Sequence, residues 1–364
     1  MPSLYVHIPF CQKRCLFCSF VVVIGQGHRV QDYLLRLAKE AQTYAGFRFD
    51  TVYIGGGTPT FLSRGQLVDF VGMLKKNFSF SSDVEFTIEA NPEGIDRAKL
   101  ETLLDLGVNR ISLGIQSFND GYLKFLGRNH DAQTARSSFE LLRTVGFRNI
   151  NLDLMVAFPQ QTDPQIKEDL TAMAQLGSEH ISVYALSVEE PSRFFARNLR
   201  LENEEVRARQ YSLVVDQLNS LGLSQYEISN FCRSGKESCH NLNYWQGGDY
   251  IGLGVGAHSY LNGERFWNHS RLAQYLNAEI NPVQGREKFT PTQHLLEMFL
   301  IGLRMNRGVD LVRLEQQLGC KFPPEKQAML NALFKAKLVE AQANRVCVTD
   351  AGRLVLDEIS ARLI

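Results

Sequence analysis

Between Leu4 and Tyr184 short β-prone segments alternate with helical patterns. Strands are predicted over Leu4–Ile8, Thr51–Ile54, Val84–Glu89, Arg110–Ile115, Asn149–Asp153 and His180–Tyr184, where branched and aromatic residues alternate or run together. Helices are predicted over Val30–Tyr44, Ser63–Lys76, Ile95–Leu106, Asp131–Val145 and Asp163–Leu176, with Ser63 as an N-cap. Such alternation with short connectors dictates a parallel α/β architecture. The repeats fall two short of a closed eightfold barrel, so a partial (β/α)6 barrel or a curved open sheet is expected.

In parallel α/β folds, chemistry gathers at the carboxyl ends of the strands. The polar residues fall there. Cys11, Cys15 and Cys18 follow the first strand, the run Gly55–Thr58 follows the second, and Glu89, Gln116 and Asp153 end the next three. The cysteines are spaced CxxxCxxC with no fourth nearby. Three thiolates leave one iron of a 4Fe–4S cube without a protein ligand, and an open coordination position marks a reactive rather than a structural metal site. The alternative is a structural zinc site completed by Cys232, Cys239 or His240, although zinc sites favour paired CxxC spacing. Seven cysteines in 364 residues, with no signal-peptide pattern, argue against a disulfide framework and for a reducing cytoplasm. The glycines Gly55, Gly56 and Gly57 let the backbone approach a ligand closely. The pattern is neither a dinucleotide fingerprint nor a P-loop. An ammonium-bearing ligand suits peptide carbonyls beside Glu89.

Charge gives no overall pull toward two partner classes. Lys plus Arg equals Asp plus Glu at 39 each, so nothing draws the chain globally to nucleic acid or anionic membrane. No apolar run reaches the roughly 20 residues of a spanning helix; peripheral membrane contact stays compatible with the sequence. The chain divides into residues 1–200, the strand–helix repeats; 201–280, an extension; and 281–364, a mostly helical end. The extension holds a charged helix over Glu202–Leu221, the cluster His240, Asn241, Asn243, Tyr244 and Trp245, and a glycine-rich run ending at His258, read as structural. One histidine among aromatics suits a planar ligand with a ligatable metal, the imidazole axial and the rings as walls; the bland alternative is a packed loop with a satisfied histidine. His7 reads as a packed strand residue, and Cys320 and Cys347 as small core hydrophobes. Asn281–Arg286 reads as a linker. Helices through Met305, over Leu311–Leu318 and over Pro324–Ala336, a hairpin, and a closing helix from Asp350 resemble a winged helix. It lacks the basic stripe of a nucleic-acid reader, so a protein- or substrate-facing lid is expected.

These residues resemble a known family. The three cysteines, Phe17 before the last of them, and the glycine run ending at Pro59 look like the radical SAM superfamily. The resemblance implies a 4Fe–4S cluster on Cys11, Cys15 and Cys18. Its unique iron would be chelated by S-adenosylmethionine, which one electron cleaves to a 5′-deoxyadenosyl radical. The segments Glu89–Pro92, Gly114–Ser117, Leu126–His130, Asn151–Leu154 and Gly254–Ser259 are similar to the oxygen-independent coproporphyrinogen III oxidase group. By that resemblance Tyr5, Phe17, Gly56, Gly57, Thr58, Glu89, Gln116, Arg128, Asp153 and Ala185 would line the S-adenosylmethionine pocket. The oxidases carry a further cysteine two residues after the third and an extension ahead of the loop; here Phe20 stands in that place and ten residues precede Cys11. Both departures point to the group's haem-chaperone branch, as does the likeness of His240–Trp245 to its HNxxYW motif, which would place haem on His240, Tyr244 and Trp245. Haem-requiring respiratory enzymes would be the recipients. Where that branch has Gly-Leu-Pro this chain has Ala157, Phe158 and Pro159, expected to narrow the pocket.

Overall fold

The computed structural model describes residues 2–279 and 281–363; residue 280, the end of the expected extension, lies outside them. Strands β1 (Ser3–Ile8), β2 (Arg48–Gly56), β3 (Ser79–Ala90), β4 (Arg110–Gln116), β5 (Ile150–Val156) and β6 (His180–Ala185) lie side by side in chain order, every pair parallel. Helices α1 (Val30–Gln42), α2 (Arg64–Asn77), α3 (Arg97–Asp105), α4 (Ala132–Val145) and α5 (Asp163–Leu176) separate them. Their starts are written locally. Ser63 and Gln66 form a capping box on α2, and Asp96 and Asp131 cap α3 and α4. A short helix over Asp120–Leu126, not expected from the sequence, precedes α4.

Strand geometry sorts the side chains into two sets. Leu4, Val6, Ile8, Val52, Ile54, Ile88, Ile111, Leu113, Leu152 and Ile181 are fully buried in the main apolar core. Their neighbours Ser3, Tyr5, His7, Thr51, Tyr53, Glu89, Ser112, Asn151 and Asp153 project to the opposite, concave face. That face is therefore polar. A parallel sheet covered by helices on both sides would read as continuous apolar runs; this alternation marks a sheet with helices outside and a lumen inside.

The sheet continues beyond the repeats. After α6 (Glu204–Ser220), strands β7 (Ser224–Glu227) and β8 (Asn230–Cys232) extend it antiparallel past β6. Helix α7 (Cys239–Trp245) then leads to β9 (Tyr250–Leu253), which pairs parallel with β1. Strands β10 (His258–Leu261), β11 (Glu264–Asn268) and β12 (Val283–Lys288) follow antiparallel, giving 12 strands in one open sheet. Strand β12 corrects the linker reading of Asn281–Arg286. Its polar, exposed pattern is that of an edge strand, which needs a partner on only one side, and Gly285 leaves room for the Trp267 ring beside it.

The C-terminal end has its own apolar core around Leu295, Phe299, Leu330, Leu333 and Leu356. It comprises α8 (Pro291–Gly302), α9 (Leu311–Leu318), α10 (Pro324–Lys335), the hairpin β13 (Val339–Gln342) and β14 (Arg345–Val348), and α11 (Leu356–Leu363). Thr290 and Gln293 form a capping box that fixes the start of α8.

Candidate functional site

The loop after β1 and the carboxyl ends of β2 to β6 enclose a cavity of about 390 Å3. Its lining includes Cys11, Cys15, Phe17, Cys18, Gly56, Gly57, Thr58, Glu89, Gln116, Arg128, Asp153 and Ala185. The structure thus brings together the three cysteines and nine of the ten residues expected around S-adenosylmethionine. Tyr5 stands apart. Its hydroxyl lies 2.9 Å from His7 Nδ1, and its ring lines a second cavity beside β9.

The residues present fit a cluster. The Thr58 hydroxyl lies 3.3 Å from Cys11 Sγ, and Arg128 Nη1 donates to Cys15 Sγ at 3.4 Å. Burial pushes the Cys11 thiol up to about 11 and raises Cys18 too, so iron binding must displace their protons. Gly57 keeps the space open. A Cβ there would lie 2.6 Å from Pro9 O and 2.9 Å from Cys11 Sγ. Gly56 adopts φ 115° with the His7 ring directly beneath it. Among the described residues no three His, Cys, Asp or Glu side chains converge as a mononuclear site requires. A cube spreads its thiolates over separate irons and does not need that convergence. Zinc is disfavoured for the same reason, and because His240 lies at the other end of the strands.

Two buried carboxylates face each other across the cavity floor. Glu89 accepts from the Tyr53 hydroxyl at 2.9 Å and from the Gly56 N–H at 3.1 Å. Asp153 accepts from Ser112 at 3.1 Å and from Asn151 at 2.9 Å. Burial, then repulsion by Asp153, raises Glu89 to about 7; burial also raises Asp153. A site poised this way favours a cationic ligand. Arg128 is fixed by Asn91 Oδ1 at 2.7 Å and Gly114 O at 2.8 Å, while its buried Nε has no hydrogen-bond partner among the described residues. Gln116 is held at φ 73°, a strained value for a side-chain-bearing residue. Phe20 is 66% exposed and lines the same cavity.

The expected narrowing by the Ala157–Pro159 segment is overturned. Phe158 turns away from the cavity, stacks on Tyr122 at 4.6 Å and is fully buried with Leu126 and Phe194. Ala157 instead takes φ 62° at the end of β5, where glycine would rest without strain.

The HNxxYW segment forms α7, at the amino ends of the strands. Glu85 accepts from the backbone N–H groups of Cys239 and His240, each at 3.0 Å, and fixes the helix there. His240 is 1% exposed. Its Nδ1 lies 2.8 Å from Thr51 Oγ1, which donates to Ser3 Oγ, so the imidazole proton sits on Nδ1. Nε2 then accepts from the Tyr244 hydroxyl at 2.9 Å, and Tyr53 stacks on the ring at 5.1 Å. Burial holds this histidine down to about 3. It is neutral and fully engaged. Ser3 and Ile8 bracket β1, so His240 is separated from the cysteine loop by roughly 15 Å or more of strand.

Tyr244, which touches His240, and Trp245 also reach a different space. With Tyr5, His7, Tyr250, His258, Tyr260, Arg265, Met298 and Ile301 they line a second cavity, of about 430 Å3, between the sheet extension and α8. The Tyr5 and Tyr53 rings, stacked at 6.3 Å, stand between the two cavities. Arg304 lies over the Trp245 ring at 4.5 Å, so the C-terminal module closes this side. Sequence reasoning missed Tyr53, Asn91 and Ser112 in the first cavity and Tyr250, Tyr260, Arg265 and Met298 in the second. The strand residues among them had a usable signal, since each lies on the polar face of its strand.

Comparison with known proteins agrees with this geometry. Residues 5–173 match the model of the radical SAM superfamily and residues 289–355 that of the HemN C-terminal domain. The chain is 36% identical to a protein named heme chaperone HemW from Bacillus subtilis, covering 99% of this chain and 98% of that one. It is also 36% identical to a HemW from Lactococcus lactis, with coverage of 96% and 94%. Among solved structures, the coproporphyrinogen III oxidase HemN of Escherichia coli, described as a radical SAM enzyme, superposes with a TM-score of 0.88 at 27% identity, over 100% of this chain and 90% of that one.

Proposed function

This chain belongs to the HemW family of the radical SAM superfamily, and from that premise we propose that it binds haem and hands it to haem-requiring proteins. The observation that carries the proposal is the aromatic cavity. Two of its walls, Tyr244 and Trp245, come from the family-like motif, and the C-terminal module encloses it. A planar apolar ligand suits such a space. Respiratory haem enzymes are the recipients we propose, reached in the cytoplasm and by peripheral contact where they are membrane-bound. The four cysteines outside the loop stand as free thiols, which suits that compartment.

The first cavity is assigned to S-adenosylmethionine, with Cys11, Cys15 and Cys18 as cluster ligands. A 4Fe–4S cluster with this cofactor at its open iron supplies one-electron reductive cleavage. Glu89 and Asp153 provide the negative field for the cofactor's cationic groups. Arg128 keeps Cys15 and the strand ends in register, and Gly56 and Gly57 admit the ligand close to the backbone.

The test is an anaerobic haem titration of the cluster-reconstituted chain, followed by transfer to an apo-haem protein. Saturation near one haem per chain, and passage to the acceptor, are expected. Absence of saturable binding would refute the proposal. The similarity to HemN sustains a second reading, oxidative decarboxylation of coproporphyrinogen. It requires anaerobic turnover dependent on S-adenosylmethionine and a reductant.

A further inference from the structure

We propose that His258, rather than His240, is the axial ligand to haem, and that the haem lies in the cavity walled by Tyr244 and Trp245; this rests on the haem reading above. The chain has eight histidines. His7, His130, His180 and His240 have both ring nitrogens hydrogen-bonded. His294 meets the Tyr260 hydroxyl through Nε2, and neither His28 nor His269, whose buried Nδ1 has no partner among the described residues, lines the cavity. His258 is exposed and lines the cavity. Among the described residues no hydrogen bond engages either of its nitrogens.

The ring is nevertheless held in place. His258 sits on β10 opposite Trp267 and stacks on that indole, with centroids 5.9 Å apart and planes at 22°. With neither nitrogen spent on a hydrogen bond, a ring that lines an aromatic cavity has a lone pair available, as an axial imidazole needs. Partial desolvation against its neighbours, then the Arg265 charge, lowers its titration, which favours the neutral form that binds metal. Arg265 lines the same wall, paired with Glu297 and, at 3.7 Å, with Glu287, so a propionate there would compete with those carboxylates for its guanidinium.

His240 then acts through Tyr244. Its Nε2 fixes the Tyr244 hydroxyl, and so the ring that walls the cavity. That makes it a positioning residue. Ligation through the same nitrogen would require the Tyr244 bond to break and the buried His240 ring to be uncovered.

The two assignments separate by spectroscopy. The cluster-reconstituted full chain, as wild type, His258→Ala and His240→Gln, is titrated anaerobically with ferric haem and read by its Soret band and electron paramagnetic resonance. His258→Ala is expected to lose the wild-type ligand-field signature and bind more than about tenfold more weakly, with added imidazole restoring the signature. His240→Gln is expected to bind more weakly with the wild-type signature intact. A wild-type signature in His258→Ala would overturn the assignment, as would its loss in His240→Gln alone. A wild type that binds no haem would instead refute the haem reading itself.

Discussion

Glu89 makes the first cavity sensitive to pH in a direction the structure fixes. Its carboxyl is raised from 4.5 to about 7, burial first and Asp153 second. The shift corresponds to about 3 kcal/mol favouring the protonated form in the folded, ligand-free chain. Because the folded value lies above the unfolded one, this stabilisation is complete below about pH 4.5 and is lost as pH rises through 7. A cationic ligand reverses the preference. It binds the carboxylate and must expel the proton wherever Glu89 is protonated. Affinity for S-adenosylmethionine is therefore expected to fall about tenfold between pH 8 and pH 6, with nearly one proton released per ligand at the lower pH. Calorimetry in two buffers of different ionisation enthalpy reads that proton directly. Glu89→Gln should abolish both the pH slope and the release. Asp153→Asn should move the slope to lower pH, because it removes a repulsive neighbour. Binding that is flat from pH 6 to 8 in the wild type, or an unchanged slope in Glu89→Gln, would refute the reasoning.

Gly57→Ala should leave the chain short of iron and sulfide after reconstitution, well below the wild-type content, because its Cβ would meet backbone at Pro9 and the Cys11 thiol. The clash costs about 1–3 kcal/mol by the usual scale of overpacking; full cluster content would count against it. Ala157→Gly should stabilise the fold by about 1 kcal/mol in chemical denaturation, since it relieves a left-handed backbone at φ 62°; a destabilised variant would show that the Ala157 methyl packs usefully. His240→Ala should destabilise by roughly 2–4 kcal/mol, as it strands the Thr51 and Tyr244 hydroxyls and empties a buried ring's volume. A variant of unchanged stability would mean that α7 is not anchored as described.

The sheet was legible because its signal is local. Each of the six strands carries its own alternation, the helices α2 to α5 their own caps, and the residues at the carboxyl ends of the strands needed only the parallel-sheet rule to be gathered into one cavity. What lay beyond could not be read that way. Strand β9 joins β1 across 247 positions of chain, from Leu4 to Ile251, a pairing that no periodicity announces. Strand β12 is short of apolar residues because an edge strand against one partner needs few, so its polarity suggested a linker. Phe158 was placed by its neighbours in sequence, whereas its direction is set by Tyr122 and Phe194.

The haem motif shows the limit most sharply. Spacing puts His240, Tyr244 and Trp245 on one short helix, and a metal-minded reading makes the histidine the ligand. The position of the helix favours the different assignment proposed above. Helix α7 is tied by Glu85 to the amino ends of the strands, and there His240 lies against Thr51 and Tyr53 at the closed base of the lumen. One turn further along the same face, Tyr244 touches His240 and also lines the second cavity. The accessible imidazole arrives from His258, on a strand whose glycine-rich approach looked purely structural. Its ring rests on Trp267 of the adjoining strand, and Met298 and Ile301, distant in sequence, lie across the cavity. Motif spacing identifies which residues share an element; only the register of that element against the sheet says which of them meets the ligand.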